Sequence, residues 1–416
     1  MPRTGALCVL LLCCAAAAAD EAATILDEGG FWRFHVTMRR PTVGGEVLPV
    51  RVAYRHYPGI EHVETAPPPE GWARCDFDDA SWPRARAVAP RMGSIEDVAF
   101  APGVRFSTGR LSLRGKFIVR DPEAVGSLAL SMKYRGGVVA YLNGREIARQ
   151  DLPDGDLDPN APGSPYPAEA FVDAGGEPIP CEYDAAKRIR AGEKNLAERI
   201  AGRDRGLGPV RIPPRLLRKG MNVLAIELRR SDYHDSAKQW FISPRFERHP
   251  AWVPNGLLAV RLSATGAGAV PNVSRPDGVQ VWNHDLNDRV HVQDYGDSSE
   301  ALRPIRIEAA RNGAFSGMVV IGSRRPLRGL KALAGDQQYA GGGNVIPASC
   351  VQVRFGHPDG RADQRPDWFD GLLDTPPAEV PAREAAGAVL PVWVTVNVPR
   401  DAAAGDYCGP LALSVG

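Results

Sequence analysis

Past its first twenty residues, this 416-residue chain has no stretch approaching the 18 or so apolar residues of a membrane-crossing helix. It also lacks a charge excess. Fifty Lys and Arg face 49 Asp and Glu, and loss of Arg3 with a leader levels the two, so nothing steers the chain toward nucleic acid or anionic lipid. No Gly-x-Ser-x-Gly elbow is present, since GAFSG at 313–317 has the wrong spacing. His-Glu-x-x-His, Gly-x-x-x-x-Gly-Lys-Ser/Thr and Gly-x-Gly-x-x-Gly are also missing, which sets aside metalloprotease, nucleotide and dinucleotide chemistry. Glycosidic cleavage usually needs two carboxylates about the scissile bond. The adjacent acidic pairs are Asp20-Glu21, Asp27-Glu28, Asp78-Asp79 and Glu96-Asp97. At this acidic content chance alone gives roughly six such pairs, so these carry no signal.

Cysteine is scarce, and three of the seven (Cys8, Cys13, Cys14) fall in the opening MPRTGALCVLLLCCAAAAAD. That stretch has one basic residue, an apolar run from Ala6 to Cys14 and then small residues, the pattern of a secretory signal cleaved after Ala19. The expected location is secreted or periplasmic. Lipid anchoring at Cys13 or Cys14 is disfavoured, because Leu-Leu-Cys-Cys lacks the small residue that usually precedes a lipidated cysteine. An exported compartment permits disulfides, and the four remaining cysteines allow three pairings. If bridges form, Cys75 with Cys181 and Cys350 with Cys408 place one in each half; buried thiols are the alternative.

The length exceeds one ordinary core and predicts two domains. Apolar alternation punctuated by Gly, Pro, Asn and Asp predicts strands over most of the chain. In the first half these are 105–122, 126–150 and 219–231. Leu128, Leu130, Met132 and Tyr134 share one face, Leu224, Ile226 and Leu228 another, and Asn143-Gly144 marks a two-residue hairpin. Residues 151–209, rich in Pro, Gly and Asp, read as a long insertion; in YDAAKRIRAGEKNLAERIAGR, Ile189, Leu196 and Ile200 fall near helical spacing. Such insertions often shape a binding rim. A boundary is expected near RHPAWVPNG (248–256), where prolines interrupt the pattern. Beyond it, 302–323 reads as strand, Asn312-Gly313 turn and strand, 345–356 as a strand pair, and 391–415 as a closing hairpin through Gly405 and Asp406. The fold class is therefore all-β: two β-sandwich domains in tandem, 20–250 and 251–416, the first with a partly helical insertion at 151–209.

Few residues combine into chemistry. His284 and His291 match no familiar metal frame and read as polar strand and turn residues. Asp154, Asp156, Asp158 and Asn160 alternate as in a calcium loop, but Pro159 and Pro165 occupy the positions where an EF-hand needs Gly and Glu, so a solvated turn is expected and no cofactor. Tyr233, His234, Asp235 and Trp240 in RRSDYHDSAKQWF bring aromatics together with polar groups, as a sugar-binding rim does, and form the candidate substrate-binding set; packing is the alternative. No catalytic residue is identified. Asn272-Val273-Ser274 is a glycosylation sequon in a eukaryotic host.

Two segments resemble known families. GWARCDFDDASWPRARA (71–87), the Asn143-Gly144 hairpin and Gly220 to Leu224 together resemble the galactose-binding-like β-sandwich appended to many glycoside hydrolases. In such a turn Trp82 and Phe77 anchor in the core while Asp78 and Ser81 bond local amides. From about residue 300, the Ala-x-Asn-Gly turn, the Pro-x-Trp-Val strand and the Pro-x-Asp-Ala-x-x-Gly-Asp-Tyr-x-Gly run resemble the N-terminal β-sandwich of glycoside hydrolase family 123, with Cys408 where relatives commonly have Thr.

The resemblance implies β-N-acetylgalactosaminidase-like enzymes whose catalytic residues sit in a following (β/α)8 barrel, for which no residues remain after Gly416. The expectation is a non-catalytic N-terminal region of a secreted N-acetylhexosaminidase-like glycoside hydrolase. Its partners would be a carbohydrate, such as an N-acetylgalactosamine-containing glycan, and a C-terminal catalytic domain. A freestanding carbohydrate-binding or surface interaction protein is the alternative.

Overall fold

The computed structural model describes residues 21–48, 64–87, 107–179, 187–193, 195–238, 252–357, 369, 371–383 and 386–416. The chain is built mostly of antiparallel strands. In order, the first are β1 (Ala23–Asp27), β2 (Phe31–Met38), β3 (Thr42–Val43), β4 (Glu46–Val47), β5 (Arg84–Arg86) and β6 (Thr108–Val119). There follow β7 (Leu128–Arg135), β8 (Gly137–Leu142), β9 (Arg145–Gln150), β10 (Arg205–Ile212) and β11 (Gly220–Arg229). Beyond these come β12 (Gly256–Ala264) and β13 (Ala269–Val270).

All of these but β3 and β4, which pair with each other, make a sandwich. One sheet runs β1-β12-β7-β10 and the other β5-β2-β6-β11-β8-β9, with β13 added beside β6. Period-2 alternation decides which side chains fill it. Leu111, Leu113 and Phe117 of β6 and Leu224, Ile226 and Leu228 of β11 meet Leu128, Leu130, Met132 and Tyr134 of β7 and Val260 and Leu262 of β12. The hairpin β8–β9 turns at Asn143 (φ 53°) and Gly144 (φ 86°), both in the left-handed region that this dipeptide favours.

The insertion is less separate than its composition implies. Its last residues form β10, which pairs with β7 and closes the edge of the four-stranded sheet. Its helical run is broken at Ala191 and Gly192 (φ 88°), so the helix nearest β10, α1 (Leu196–Ala201), is a single short element. Residues 183–186 and 194 of that run lie outside the described residues. The first sandwich also extends past residue 250, because β12 pairs with both β1 and β7 and β13 pairs with β6.

The second half has a five-stranded sheet, β14-β15-β23-β20-β21, where β14 is Val279–His284, β15 Ala314–Ser323, β20 Val351–Gly356, β21 Leu372–Leu373 and β23 Ala388–Asn397. Small ladders accompany it: β16 (Leu327–Arg328) with β22 (Glu379–Val380), β17 (Lys331–Ala334) with β25 (Leu411–Ser414), and β19 (Val345–Ile346) with β18 (Gln337–Tyr339) and β24 (Tyr407–Cys408). Val319, Ile321, Leu390, Val392 and Phe355 meet Leu327, Leu330 and Val380, with Leu411 and Leu413 against them.

Three expectations change here. Residues 302–311 form no ladder: Ile305 and Ile307 lie against Gly317, but Pro304 has no N–H to donate. The closing hairpin does not form either, since β24 and β25 cross to β18 and β17 instead of pairing with β23. That crossing also separates the cysteines. Cys350 ends the one-turn helix leading into β20 while Cys408 sits opposite Gln338 on another sheet, and both are free thiols. Cys75 is a buried free thiol, and Cys181 lies outside the described residues.

Candidate functional site

The sequence-derived rim residues separate. Tyr233 is buried in a cluster with Tyr166, Phe171 and Trp252, its backbone N–H donating to Thr42 O. His234 is half-buried and stacks on Phe171 at 5.5 Å between centroids, its Nδ1 within 3.0 Å of Ser236 Oγ. Asp235 is exposed and pairs with Lys238 at 3.1 Å. Trp240 lies outside the described residues. The structure thus joins Tyr233 and His234 to an aromatic cluster to which the insertion gives Tyr166 and Phe171, and leaves Asp235 at the solvent edge. Next to them Asp232 accepts from Thr42 Oγ1 (2.5 Å) and Gly45 N (3.0 Å), fixing the β3–β4 turn against this edge.

The 70–83 turn, which carries the galactose-binding-like resemblance, directs its side chains inward. Trp72 and Trp82 stack at 6.0 Å and pack on Val223 and Ala225 of β11. Asp78 Oδ1 accepts from Ala80 N at 3.0 Å, as an Asx turn does, whereas Ser81 is exposed. Asp79 reaches further. It accepts from Arg114 Nε (2.7 Å) and Lys116 Nζ (2.6 Å) on β6, and Lys116 also bonds Glu300 Oε1 at 2.9 Å. Arg33 of β2 closes the network with two bonds to Glu300 and one to Trp82 O. Burial pushes the Glu300 carboxyl up, but the hydrogen bonds and charge of Arg33 and then the charge of Lys116 outweigh it, holding this acid well below the usual range. Asn272, the sequon residue, is buried beside this junction and donates to Lys116 O and Asp297 Oδ1, so its amide is committed inside the fold.

A second concentration of polar groups lies on the outer face of the larger sheet. In β6 the residues between the core leucines are Arg110, Ser112, Arg114 and Lys116. The ladders set His35 of β2 and Glu227 of β11 opposite Ser112, and Thr37 and Arg229 opposite Arg110. Ser112, Thr37 and Glu227 are buried, and His35 is half-buried. Ser112 Oγ, Thr37 Oγ1 and His35 Nδ1 have no hydrogen-bond partner among the described residues, although an unsatisfied buried group costs about 1–3 kcal/mol. Burial and then the charge of Arg110 push the His35 imidazole below its ordinary value, so it is neutral, with one ring nitrogen to donate and one to accept.

This row lies between two walls. On one side stand Trp82, 5.3 Å from His35, and Trp72, 6.1 Å from Tyr141 of β8. On the other, Arg110 donates to Pro159 O, and Arg229 to Asp158 O and Ala161 O. The aspartate-rich 154–160 stretch is clipped down by these two arginines, with Asn160 N donating to Asp158 Oδ1 at 2.7 Å. Among the described residues no three His, Cys, Asp or Glu side chains converge as metal ligands would. Burial drives the His284 imidazole down to about 4.

Sequence reasoning missed both arrangements. RLSLRGK shows alternation, but not that the polar side of the strand is covered. One signal was available in principle: Arg110, Arg114 and Lys116 on one strand and Glu227 and Arg229 on another give charged residues unusual density for an ordinary solvated face.

No protein-family profile matches the chain, and no curated protein matches it by sequence. Similar solved structures include a family 123 glycoside hydrolase from Clostridium perfringens, at 12% identity over 33% of this chain and 25% of that one, with a TM-score of 0.26. A glycosyl hydrolase family 2 member from Bacteroides cellulosilyticus is 10% identical over 94% of this chain and 34% of its own, with a TM-score of 0.27. A Bifidobacterium dentium β-glucuronidase, solved with coumarin-3-O-glucuronide, is 11% identical over 91% and 42%, with a TM-score of 0.28. The chain covers between 25% and 42% of the length of these three proteins.

Proposed function

We propose that this chain is a non-catalytic β-sandwich platform of a secreted, N-acetylhexosaminidase-like glycoside hydrolase, which holds a glycan in position for a catalytic domain that follows it. The observation that carries the reading is the fate of the 70–83 turn. Its tryptophans pack on β11, and Asp79 feeds an ion network that reaches Glu300. The motif behind the resemblance thus works as a clamp between the first sandwich and the segment that follows β14. A rigid two-part support is what a positioning module requires, because misplacing a substrate by 1 Å can cost about a hundredfold in rate.

The test has two parts. The coding sequence past Gly416 should continue into a frame encoding a strand–helix barrel, and a native stop with no adjacent barrel frame counts heavily against the reading. The purified chain should fail to hydrolyse 4-nitrophenyl N-acetyl-β-galactosaminide by itself. Turnover by this chain alone would replace the platform reading with an enzyme built on the sandwiches.

A further inference from the structure

We infer that a cleft beside the Asn143-Gly144 hairpin, walled by Arg74, Arg145 and Arg218, binds a tetrahedral oxyanion, sulfate or phosphate, either free or as the end of a monoester. The cleft has a volume of about 400 Å³, inside the range of about 300–1,000 Å³ usual for small-ligand sites. Three segments far apart in sequence meet there. The tryptophan turn gives Arg74, the start of β9 gives Arg145, and the approach to β11 gives Arg218. The inference stands on this cleft and not on the platform reading, and the residues lining it belong neither to the 231–238 rim nor to the polar row of the larger sheet.

Charge selects the ligand class. Asp76 is the one acidic residue in the lining, and it accepts both bonds of the Arg74 fork, from Nε at 3.0 Å and Nη2 at 2.8 Å. Arg145 and Arg218 are exposed, and among the described residues neither guanidinium has a carboxylate or hydrogen-bond partner. Three arginines against one aspartate leave the cleft two positive charges in excess, in a chain that is formally near neutral. The Asp76 carboxyl is held below its usual range, first by the bond from Arg74 and in smaller part by the charges of Arg74 and Arg218, so the field of Arg218 reaches it. A carboxylate ligand would repeat what Asp76 already does for one fork. A tetrahedral anion offers acceptors in several directions, which suits guanidiniums arriving from separate segments.

The backbone beneath these arginines is fixed in advance. Buried Asn222 accepts from Arg218 N at 3.0 Å and donates to Arg218 O at 2.8 Å. It also accepts from Asn143 Nδ2 at 2.9 Å, which ties the hairpin carrying Arg145 to the segment carrying Arg218. Arg74 O accepts from buried Arg114 at 2.9 Å. Gly144 lets the turn approach closely, since a Cβ there would stand 2.8 Å from Arg74 Cγ. Holding like charges together costs free energy, and a bound anion offsets that cost.

The experiment titrates the intact chain with sodium sulfate, phosphate and acetate at constant ionic strength, read by calorimetry and by NMR of the arginine Nε–H groups. Sulfate or phosphate should bind saturably, and acetate should not. Arg145→Gln and Arg218→Gln should each weaken binding roughly two- to fivefold at an unchanged melting temperature. Asp76→Asn should tighten it, by removing a negative charge and releasing the Arg74 fork, a gain that no folding defect can produce. Arg306→Gln, an equal change of charge at an exposed site in the second half, should leave binding unchanged. Titration with phenyl phosphate and 4-nitrophenyl sulfate identifies the source: a monoester that binds more tightly than its inorganic anion marks an ester end, and the reverse marks a free anion. The proposal is wrong if neither anion binds, if acetate binds as tightly, or if Arg306→Gln weakens binding as much as Arg145→Gln does. None of these results bears on the platform reading, which the downstream frame and turnover decide.

Discussion

Arg33 and Glu300, 267 positions apart, meet through two parallel hydrogen bonds, Nε to Oε1 at 2.9 Å and Nη2 to Oε2 at 2.6 Å. Removing one partner of such a covered pair leaves the other charge unanswered, at a cost of about 3–5 kcal/mol. Glu300→Ala should therefore lower stability by that order in denaturant titrations, and the two halves should then unfold in separate steps. Because the folded Glu300 carboxyl is held below its ordinary value, its contribution is complete above about pH 4.3 and is lost progressively as the pH falls below that. The parent's acid limb should be steeper than that of the variant; identical acid limbs would exclude Glu300 as the source.

Asp294 has the opposite sign. Burial raises its carboxyl to about 6, against the lowering effects of the His291 N–H and of Arg84, Arg86 and Arg275. Between its unfolded value near 3.9 and about 6, the unfolded chain has released this proton and the folded one has not, so this group makes stability fall as the pH rises through that window. Asp294→Asn keeps an acceptor for His291 N and removes the ionisation. It should remove that decline and stabilise the protein at pH 7 by up to about 3 kcal/mol. A variant less stable than the parent at pH 7 would refute the argument.

Gly115 faces the sandwich interior under the indole of Trp32, where an added Cβ would stand 2.6 Å from Cζ3. Trp32 is 1% exposed and is held by a bond from Nε1 to Asp27 O, so the ring has little freedom to withdraw. Gly115→Ala should cost about 1–3 kcal/mol through overpacking, read as a lowered melting temperature. A neutral result would mean that the indole can shift.

The thiols give a covalent check. Alkylation of the native protein should label Cys408 rapidly and Cys350 more slowly, and Cys75 only after unfolding, in line with their exposure. Peptide mapping that recovers Cys350 joined to Cys408 would contradict the placement of β24.

Strand content and the Asn143-Gly144 turn were legible because both depend on local pattern: the alternation in LALSMKYR places Leu128, Leu130, Met132 and Tyr134 in the core as expected. Pairing was legible only where a tight turn dictated it. The partners of Tyr407–Cys408 and Leu411–Ser414 depend on which distant edge is open, and the shortest connection was not the one used. Composition misled at 205–212, where the Gly and Pro of RGLGPVRI mask an edge strand whose register shifts between Leu207 and Val210. The polar row went unseen for a related reason. His35, Ser112 and Glu227 lie 77 and 115 positions apart, and only the ladders make them neighbours.

The docking of β10 on β7 has a practical corollary for anyone shortening this protein. Excising 151–209 as a dispensable appendage would strip Arg205, Gly206 and Leu207 from Tyr134, Lys133 and Met132, baring a row of amide and carbonyl groups. It would also take away the carbonyls that seat Arg110 and Arg229. The trimmed product should stick to itself through that naked margin.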